Sequence, residues 1–376
     1  MNYSEILVNY VEQILERSTP VAPIWDRELE VHKKPASWNY INGIVMKALL
    51  KLYETTKKEK YLNYVDDFVS YFVQEDGSIL TYSVEEYNLD HLCGGPVLLT
   101  LYEITKKEKF KKAADLLRSQ LTNHMRTEKG SFWHKKIYQN QVWLDGLYMA
   151  QPFYMRYEVN YNGAAGSYDS FKQFENVVRF MKDKETGLYY HGYDQAREMF
   201  WCDKETGLSQ CFWLRSLGWF AMACVDIVEL LPVHMGEEKE RLIGIYKDLI
   251  DSLLKYQDKE SKMWYQVVNQ QDREGNYIET SGSAAIAYCI LKGVNMGYLD
   301  ESYRSIGKEV FEGICDRVLS EKDGKLQVSG ICLVAGLGGS DGTRRNGTFE
   351  YYMSEPIVEN DGKGIAPLLL AFSELM

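Results

Sequence analysis

Ten residues beginning at Leu52 and ten beginning at Leu101 read almost identically: Leu-Tyr-Glu-Thr-Thr-Lys-Lys-Glu-Lys-Tyr and Leu-Tyr-Glu-Ile-Thr-Lys-Lys-Glu-Lys-Phe, eight identities at an offset of 49 residues. A repeat of that length marks supersecondary units stacked side by side, each too small to bury its apolar face alone. The unit is a helix ending at Tyr-Glu, a polar turn, and a second helix whose apolar positions (Tyr61, Val65, Phe68, Val69 and Phe72) fall at helical spacing. Looser copies continue along the chain. Helices rich in apolar and small residues are expected to begin near Gly43, Gly95, Gly146, Gly218, Gly282 and Gly364. Amphipathic partners are expected over about 3–16, 58–73, 108–123, 168–182, 237–256 and 301–319. A helix that is apolar all round has to be buried. Six such helices alternating with six amphipathic ones predict an all-α chain of two concentric rings, a closed toroid forming one domain over residues 1–376.

A second recurring element follows the outer helices: Glu75-Asp-Gly-Ser-Ile79, Glu128-Lys-Gly-Ser-Phe-Trp-His134, Lys184-Glu-Thr-Gly-Leu-Tyr-Tyr-His191, Lys259-Glu-Ser-Lys-Met-Trp-Tyr265 and Lys322-Asp-Gly-Lys-Leu326. A turn former followed by aromatic or apolar residues predicts a tight turn running into a short strand. Such segments lead from the outer ring back to the next inner helix, so they should line one mouth of the toroid.

The formal net charge of −11 argues against nucleic acid or an anionic membrane as the main partner. No stretch is long and apolar enough to span a bilayer, and the first residues lack the basic start and apolar core of a signal peptide. Seven scattered cysteines, with no C-x-x-C pair, fit reduced and mostly buried thiols in a cytoplasmic protein. Eight Trp and 28 Tyr suit the lining of a sugar pocket as well as they suit core packing.

Polar and aromatic groups stand just ahead of the inner-helix starts. They are Trp38, Tyr40 and Asn42, then Asp90 and His91, Asp145, Arg215, Glu279 and Thr280, and finally Asp361 and Lys363. If consecutive inner helices run the same way, these groups converge on one face. A set of pure N-caps would be Ser, Thr, Asp or Asn, and would not include Trp38, Trp143, Trp213 or Arg215. Asp145, in Trp143-Leu-Asp-Gly-Leu-Tyr148, reads alone as a cap, and in this company as a catalytic acid. Asp90 occupies the equivalent place one unit earlier, so the two carboxylates are expected to face each other and push one pKa up. The fork of Arg215 suits a substrate carboxylate, and it suits a structural Asp equally well. His134 and His191 end two of the turn-strand elements, as pocket residues or as satisfied structural histidines. Six histidines without metal-ligand spacing, and no phosphate loop or dinucleotide fingerprint, lead us to expect no cofactor and no metal.

At these residues the chain resembles the unsaturated rhamnogalacturonyl hydrolases, the family 105 glycoside hydrolases, and more distantly the unsaturated glucuronyl hydrolases. The matching motifs run nearly the whole length: Trp38-Asn-Tyr-Ile-Asn-Gly43, Leu89-Asp90, Phe132-Trp-His-Lys135, Trp143-Leu-Asp-Gly-Leu-Tyr-Met149, Tyr190-His-Gly192, Phe212-Trp-Leu-Arg-Ser-Leu-Gly-Trp219, and Gly347-Thr-Phe-Glu-Tyr-Tyr352 through Asn360-Asp-Gly-Lys363. The resemblance implies a six-plus-six α/α barrel and an unusual reaction. A terminal uronic acid with a C4–C5 double bond, left by a polysaccharide lyase, is hydrated, and the resulting hemiketal collapses to release the remaining sugar. By motif matching, Asp145 would be the general acid/base and Asp90 its assisting partner. His191, Arg215 and Trp219 would hold the unsaturated uronate, with Tyr40, His134, Lys135 and Trp213 completing the pocket. One position departs from the pattern. Leu217 stands where members acting on rhamnogalacturonan fragments often have Asn, which removes a polar contact near the sugar beyond the scissile bond.

The expected partner is a small acidic oligosaccharide of the unsaturated galacturonyl-rhamnose type. Three other readings fit the residues less fully: a hydrolase of unsaturated glucuronyl saccharides, an epimerase on the same kind of toroid, and a non-catalytic acidic-oligosaccharide-binding protein.

Overall fold

The computed structural model describes residues 3–339 and 342–376. Its helices in chain order are α1 (Tyr3–Glu16), α2 (Arg27–His32), α3 (Tyr40–Thr56), α4 (Glu59–Phe72), α5 (Gly95–Thr105), α6 (Glu108–Thr122), α7 (Asp145–Tyr161), α8 (Ser167–Met181), α9 (Leu214–Val228), α10 (Gly236–Leu254), α11 (Thr280–Asn295), α12 (Tyr303–Val318), α13 (Phe349–Ser354) and α14 (Gly362–Glu374). The two rings are there. Helices α3, α5, α7, α9, α11 and α14 pack each against the next, and α14 returns to α3. Every residue of α9 is buried, as an inner position demands, whereas α4 buries only the stripe Tyr61, Leu62, Val65, Phe68, Val69 and Phe72. Helices α4, α6, α8, α10 and α12 lie outside, each against the inner helix before it. The first helix completes the outer ring. Its Tyr3 meets Phe311 edge-on at 6.3 Å and bonds Asp316 on α12, while Glu12 pairs with Lys60 on α4. The molecule is an α/α barrel of six inner and six outer helices.

The sequence repeat is also a repeat of geometry. Lys57 and Lys106 end α3 and α5 in the left-handed region, at φ 57° and 59°. Thr56 and Thr105 donate their hydroxyls back to the Leu52 and Leu101 carbonyls at 2.6 and 2.7 Å. The turn-strand segments form as expected but stay short: Val73 bridges Ile79, Arg126 bridges Phe132 and Lys182 bridges Tyr189. The segment around Asp323-Gly324 becomes a full hairpin, Leu319–Lys322 against Lys325–Val328.

One hydrogen bond recurs around the ring. The backbone N–H just ahead of, or opening, an inner helix donates to the strand that follows the next outer helix. The pairs are Leu89 to His134, Leu144 to His191, Leu214 to Gln266 and Thr280 to Gly330, at 3.1, 2.9, 3.0 and 2.9 Å. The residues that come next, Asp90, Asp145, Arg215 and Ser281, therefore hold equivalent positions in four successive units.

All seven cysteines are buried and unbridged. No helix among the described residues is long and apolar enough to cross a membrane.

Close approach of the inner helices depends on small residues. A Cβ on Gly43 of α3 would sit 2.9 Å from the Gly94 backbone nitrogen and 3.1 Å from the Cys93 carbonyl carbon, and backbone cannot swing aside as a side chain can. Gly43→Val should therefore cost on the order of 2–3 kcal/mol of stability. A lowered urea midpoint would show it, and an unchanged midpoint would mean that α3 and the turn leading into α5 are not in contact.

Candidate active site

At the mouth where the inner helices begin lies a cavity of about 450 Å³. Asp90, Asp145, Tyr40, His134, Lys135, Trp213, Arg215 and Trp219 all line it, together with Glu28, His32, Lys34, Tyr138, Trp143, Met149, Arg345 and the loop residues Val334, Ala335, Gly336 and Gly339.

Asp90 sits in a 3₁₀ turn, Leu89–Gly94, that leads into α5, and the cap there is Asn88, whose side chain accepts from the Asp90 N–H. The Asp90 carboxylate is left to face the strand from the next unit. Its Oδ2 is 2.7 Å from Lys135 Nζ and its Oδ1 3.2 Å from His134 Nε2. Burial by itself would raise this carboxyl, but the Lys135 ammonium and the His134 ring outweigh it and hold the group well below the usual carboxylate range. Asp90 is an ionised carboxylate. Lys135 in turn is raised, since its partner Asp90 outweighs its desolvation.

Asp145 is the first residue of α7, and its side chain caps nothing. Its Oδ2 is buried without a hydrogen-bond partner, with His191 Nε2 3.2 Å away and equally unpartnered. The antiparallel pair Gln141–Trp143 and Gly192–Asp194, in register Trp143 with Gly192, brings these two residues together. On its other side His191 Nδ1 meets the Tyr352 hydroxyl at 2.7 Å.

The aromatic walls are built by stacking. Trp143 stacks with both His134 and Tyr138, with ring centroids at 4.5 and 4.7 Å. Trp219 stacks on Tyr148 at 5.0 Å, and the Tyr148 hydroxyl accepts from Lys47 at 2.9 Å. Arg215 is 2 % exposed, with its guanidinium 4.7 Å from the Trp213 ring. Nη1 donates to Ser281 Oγ at 3.2 Å and to the Cys332 carbonyl, and Nη2 to the Leu333 carbonyl at 3.4 Å. Three of its five N–H groups are thus engaged, which fixes the fork and leaves two for a ligand. Tyr40 stays a protonated phenol, raised well above its ordinary value first by burial and then by Glu28.

An acid-lined pocket with a fixed arginine and two carboxylates in different settings is the equipment of a glycosidase, and comparison with known proteins agrees. The family model described as Glycosyl Hydrolase Family 88 matches residues 17–376. The chain belongs to that family. It is a glycoside hydrolase by descent, and a solved family 105 glycoside hydrolase from C. acetobutylicum superposes with a TM-score of 0.91 at 42% identity, covering 100% of this chain and 99% of that one. Protein Atu3128 of Agrobacterium fabrum is 35% identical over 60% of this chain and 97% of its own length. The unsaturated rhamnogalacturonyl hydrolase YesR of Bacillus subtilis is 25% identical over 89% of each.

Within this family 88 barrel, three sequence expectations are corrected. Asp90 does not have the expected pairing with a facing carboxylate that pushes it up; its partners are Lys135 and His134, which hold its carboxyl low. His191 is fully buried and does not line the cavity, because it stands behind Asp145. Leu217 is fully buried in α9 and does not reach the cavity either, so its replacement of Asn removes no contact there. Glu279 and Asp361 turn out to be caps, on Ser281 and Gly282 and on Lys363.

Sequence reasoning missed Glu28, whose helix α2 lies outside the repeat. Its carboxylate is 2.8 Å from the fully buried Lys363, and although burial opposes it, Lys363 holds it lowered. Arg345 and residues 334–339 were equally hidden, since the repeat says nothing about a loop. No group of three or more His, Cys, Asp or Glu side chains fit to hold a metal occurs among the described residues.

The Asp90 setting makes a direct prediction. In Lys135→Met the largest opposing charge is gone and burial is less well balanced, so the Asp90 carboxyl should titrate at higher pH than in the native protein. Carboxyl ¹³C shifts followed through an acid titration would read the change, and an unmoved Asp90 midpoint would refute the assignment of Lys135 as its main partner.

Proposed function

We propose that this protein hydrolyses lyase-generated unsaturated uronyl oligosaccharides, of the unsaturated galacturonyl-rhamnose type, through a single catalytic domain spanning residues 1–376. The reading rests on one observation above the others: two carboxylates line one cavity in opposite settings, Asp90 clamped by a cation and Asp145 with an oxygen that nothing hydrogen-bonds. Paired carboxyl groups in unlike environments take different parts in proton transfer and charge stabilisation.

In this mechanism the substrate carboxylate lies against the two uncommitted N–H groups of Arg215, with Trp219 and Trp213 as walls and the Tyr40 hydroxyl as a further donor. Asp145, as the acid, delivers its proton to C4 of the C4–C5 double bond. The positive charge that develops at C5 is stabilised by the ring oxygen, and water adds there, losing its proton to the Asp145 carboxylate. The product is a hemiketal at C5. Its ring opens, C5 becoming a ketone and the ring oxygen a hydroxyl on C1, and the C1 hemiacetal so formed collapses to an aldehyde as the aglycone leaves with a proton as the free sugar. Asp90, permanently ionised and tied to Lys135 and His134, assists by favouring the developing positive charge and by orienting water. The identity of the relative YesR, an unsaturated rhamnogalacturonyl hydrolase by name, supports the rhamnose-linked substrate over a glucuronyl one.

A panel of lyase digests (rhamnogalacturonan, homogalacturonan, ulvan, glycosaminoglycan) read by loss of the ultraviolet absorbance of the unsaturated uronate tests both parts. The wild type should consume the rhamnogalacturonan digest fastest, and Asp145→Asn should lose roughly 10²- to 10⁴-fold in kcat/KM, the usual worth of a positioned acid. A wild type inert on every digest, or a fully active Asp145→Asn, would end the proposal; a binding protein would keep affinity and show no turnover at all.

A further inference from the structure

Tyr352 lies on α13, away from the cavity, fully buried. A buried phenol needs an acceptor for its proton. Among the described residues its hydroxyl meets one hydrogen-bonding group, Nδ1 of His191 at 2.7 Å. His191 is 0 % exposed as well, so its ring nitrogens have no solvent to turn to. With Nδ1 accepting from Tyr352, the neutral imidazole carries its own proton on Nε2. That nitrogen faces Asp145 Oδ2 at 3.2 Å, and neither atom has another partner. The alternative, Nδ1–H donating to the phenol oxygen, would leave the phenol proton without an acceptor and turn a lone pair toward the carboxylate.

We propose that Tyr352 is a positioning residue that acts through His191, locking its imidazole as the Nε2–H tautomer so that this N–H is aimed at Oδ2 of Asp145. The inference rests on Asp145 being the acid of the proposed reaction. Its consequence is a division of the carboxyl group. Oδ2 is assigned to the histidine, and Oδ1 is left to carry the proton that goes to substrate. As that proton departs, charge grows on the carboxylate and the N–H donor on Oδ2 gains in strength, so the contact favours the transition state over bound substrate. The pair is close but poorly aligned in the ligand-free protein, a common condition for catalytic hydrogen bonds before substrate closes the site.

Two measurements test this. In protein labelled with ¹⁵N-histidine, with the His191 signals identified by their absence in His191→Gln, two-bond ¹H–¹⁵N correlations report which ring nitrogen is protonated. The Nε2–H pattern is expected at neutral pH; an Nδ1–H pattern or an imidazolium would overturn the proposal, and this readout needs neither activity nor a Tyr352 variant. Tyr352→Phe keeps the ring that stacks on Trp213 at 6.1 Å and removes only the hydroxyl. Its kcat should fall roughly ten- to a hundredfold, as when a partner that orients a reacting group is lost, with KM within about twofold and with the Nε2–H pattern weakened or mixed. An unchanged kcat and an unchanged tautomer in a folded Tyr352→Phe protein would refute it. If the wild type consumes no unsaturated uronide while the Nε2–H tautomer is present, the reading of the reaction fails and the Tyr352–His191 lock stands.

Discussion

Four backbone hydrogen bonds of one kind organise this molecule. Each joins the residue at the threshold of an inner helix to the strand that follows the next outer helix: 89 to 134, 144 to 191, 214 to 266 and 280 to 330. A backbone N–H ahead of a buried helix has no intrahelical partner and cannot reach water, so some other chain segment has to accept it. The returning strand does so, and the side chain that follows each such N–H is thereby set against the neighbouring unit. Asp90, Asp145, Arg215 and Ser281 are the four outcomes. Two acids and a cation at equivalent places line one cavity, because the inner helices begin at the same mouth, and the hydroxyl of the fourth, Ser281, holds the cation in place. The opposite mouth carries the ends of those helices, with Lys47, Arg156, Lys292 and Glu374 around a separate depression.

The rings were legible because burial leaves a periodic trace. An inner helix such as α9 has no polar face to show, and an outer helix such as α4 shows a narrow stripe, so the alternation is visible without any contact being known. The candidate site was legible to the extent that its residues sit at repeated places; Asp90, Asp145 and Arg215 do. Partners from outside the repeat were not. Glu28 comes from a short helix before the first full unit, and Arg345 from a loop after α12. Nothing in the spacing of helices reports where an irregular segment folds back.

The depth of a side chain was also hidden. Leu217 and Arg215 are two residues apart on the same helix, which puts them on different faces, and only one of them reaches the cavity. Likewise His134 and His191 end equivalent strands, yet His134 is in the cavity wall and His191 is behind it. The difference lies in what stands in front. Asp90, in its 3₁₀ turn, is met by both His134 and Lys135, whereas Asp145, at the head of a full helix, screens His191. Sequence motifs name the residues at such positions and leave their order from solvent inward undetermined.

That order also puts two aspartates at equivalent positions in unlike company. The strand meeting Asp90 ends in His-Lys, and the lysine places a full positive charge 2.7 Å from the carboxylate. The segment meeting Asp145 reads His-Gly, and Gly192 adds no charge; a Cβ there would meet the Leu337 side chain at 2.3 Å. Asp145 is left with a histidine whose far nitrogen is tied to a phenol in place of an ammonium. A fixed cation favours the carboxylate form, so the two aspartates differ in the charge set beside them. One difference between the returning segments, lysine against glycine, therefore sets an ammonium beside Asp90 and leaves Asp145 paired with a histidine.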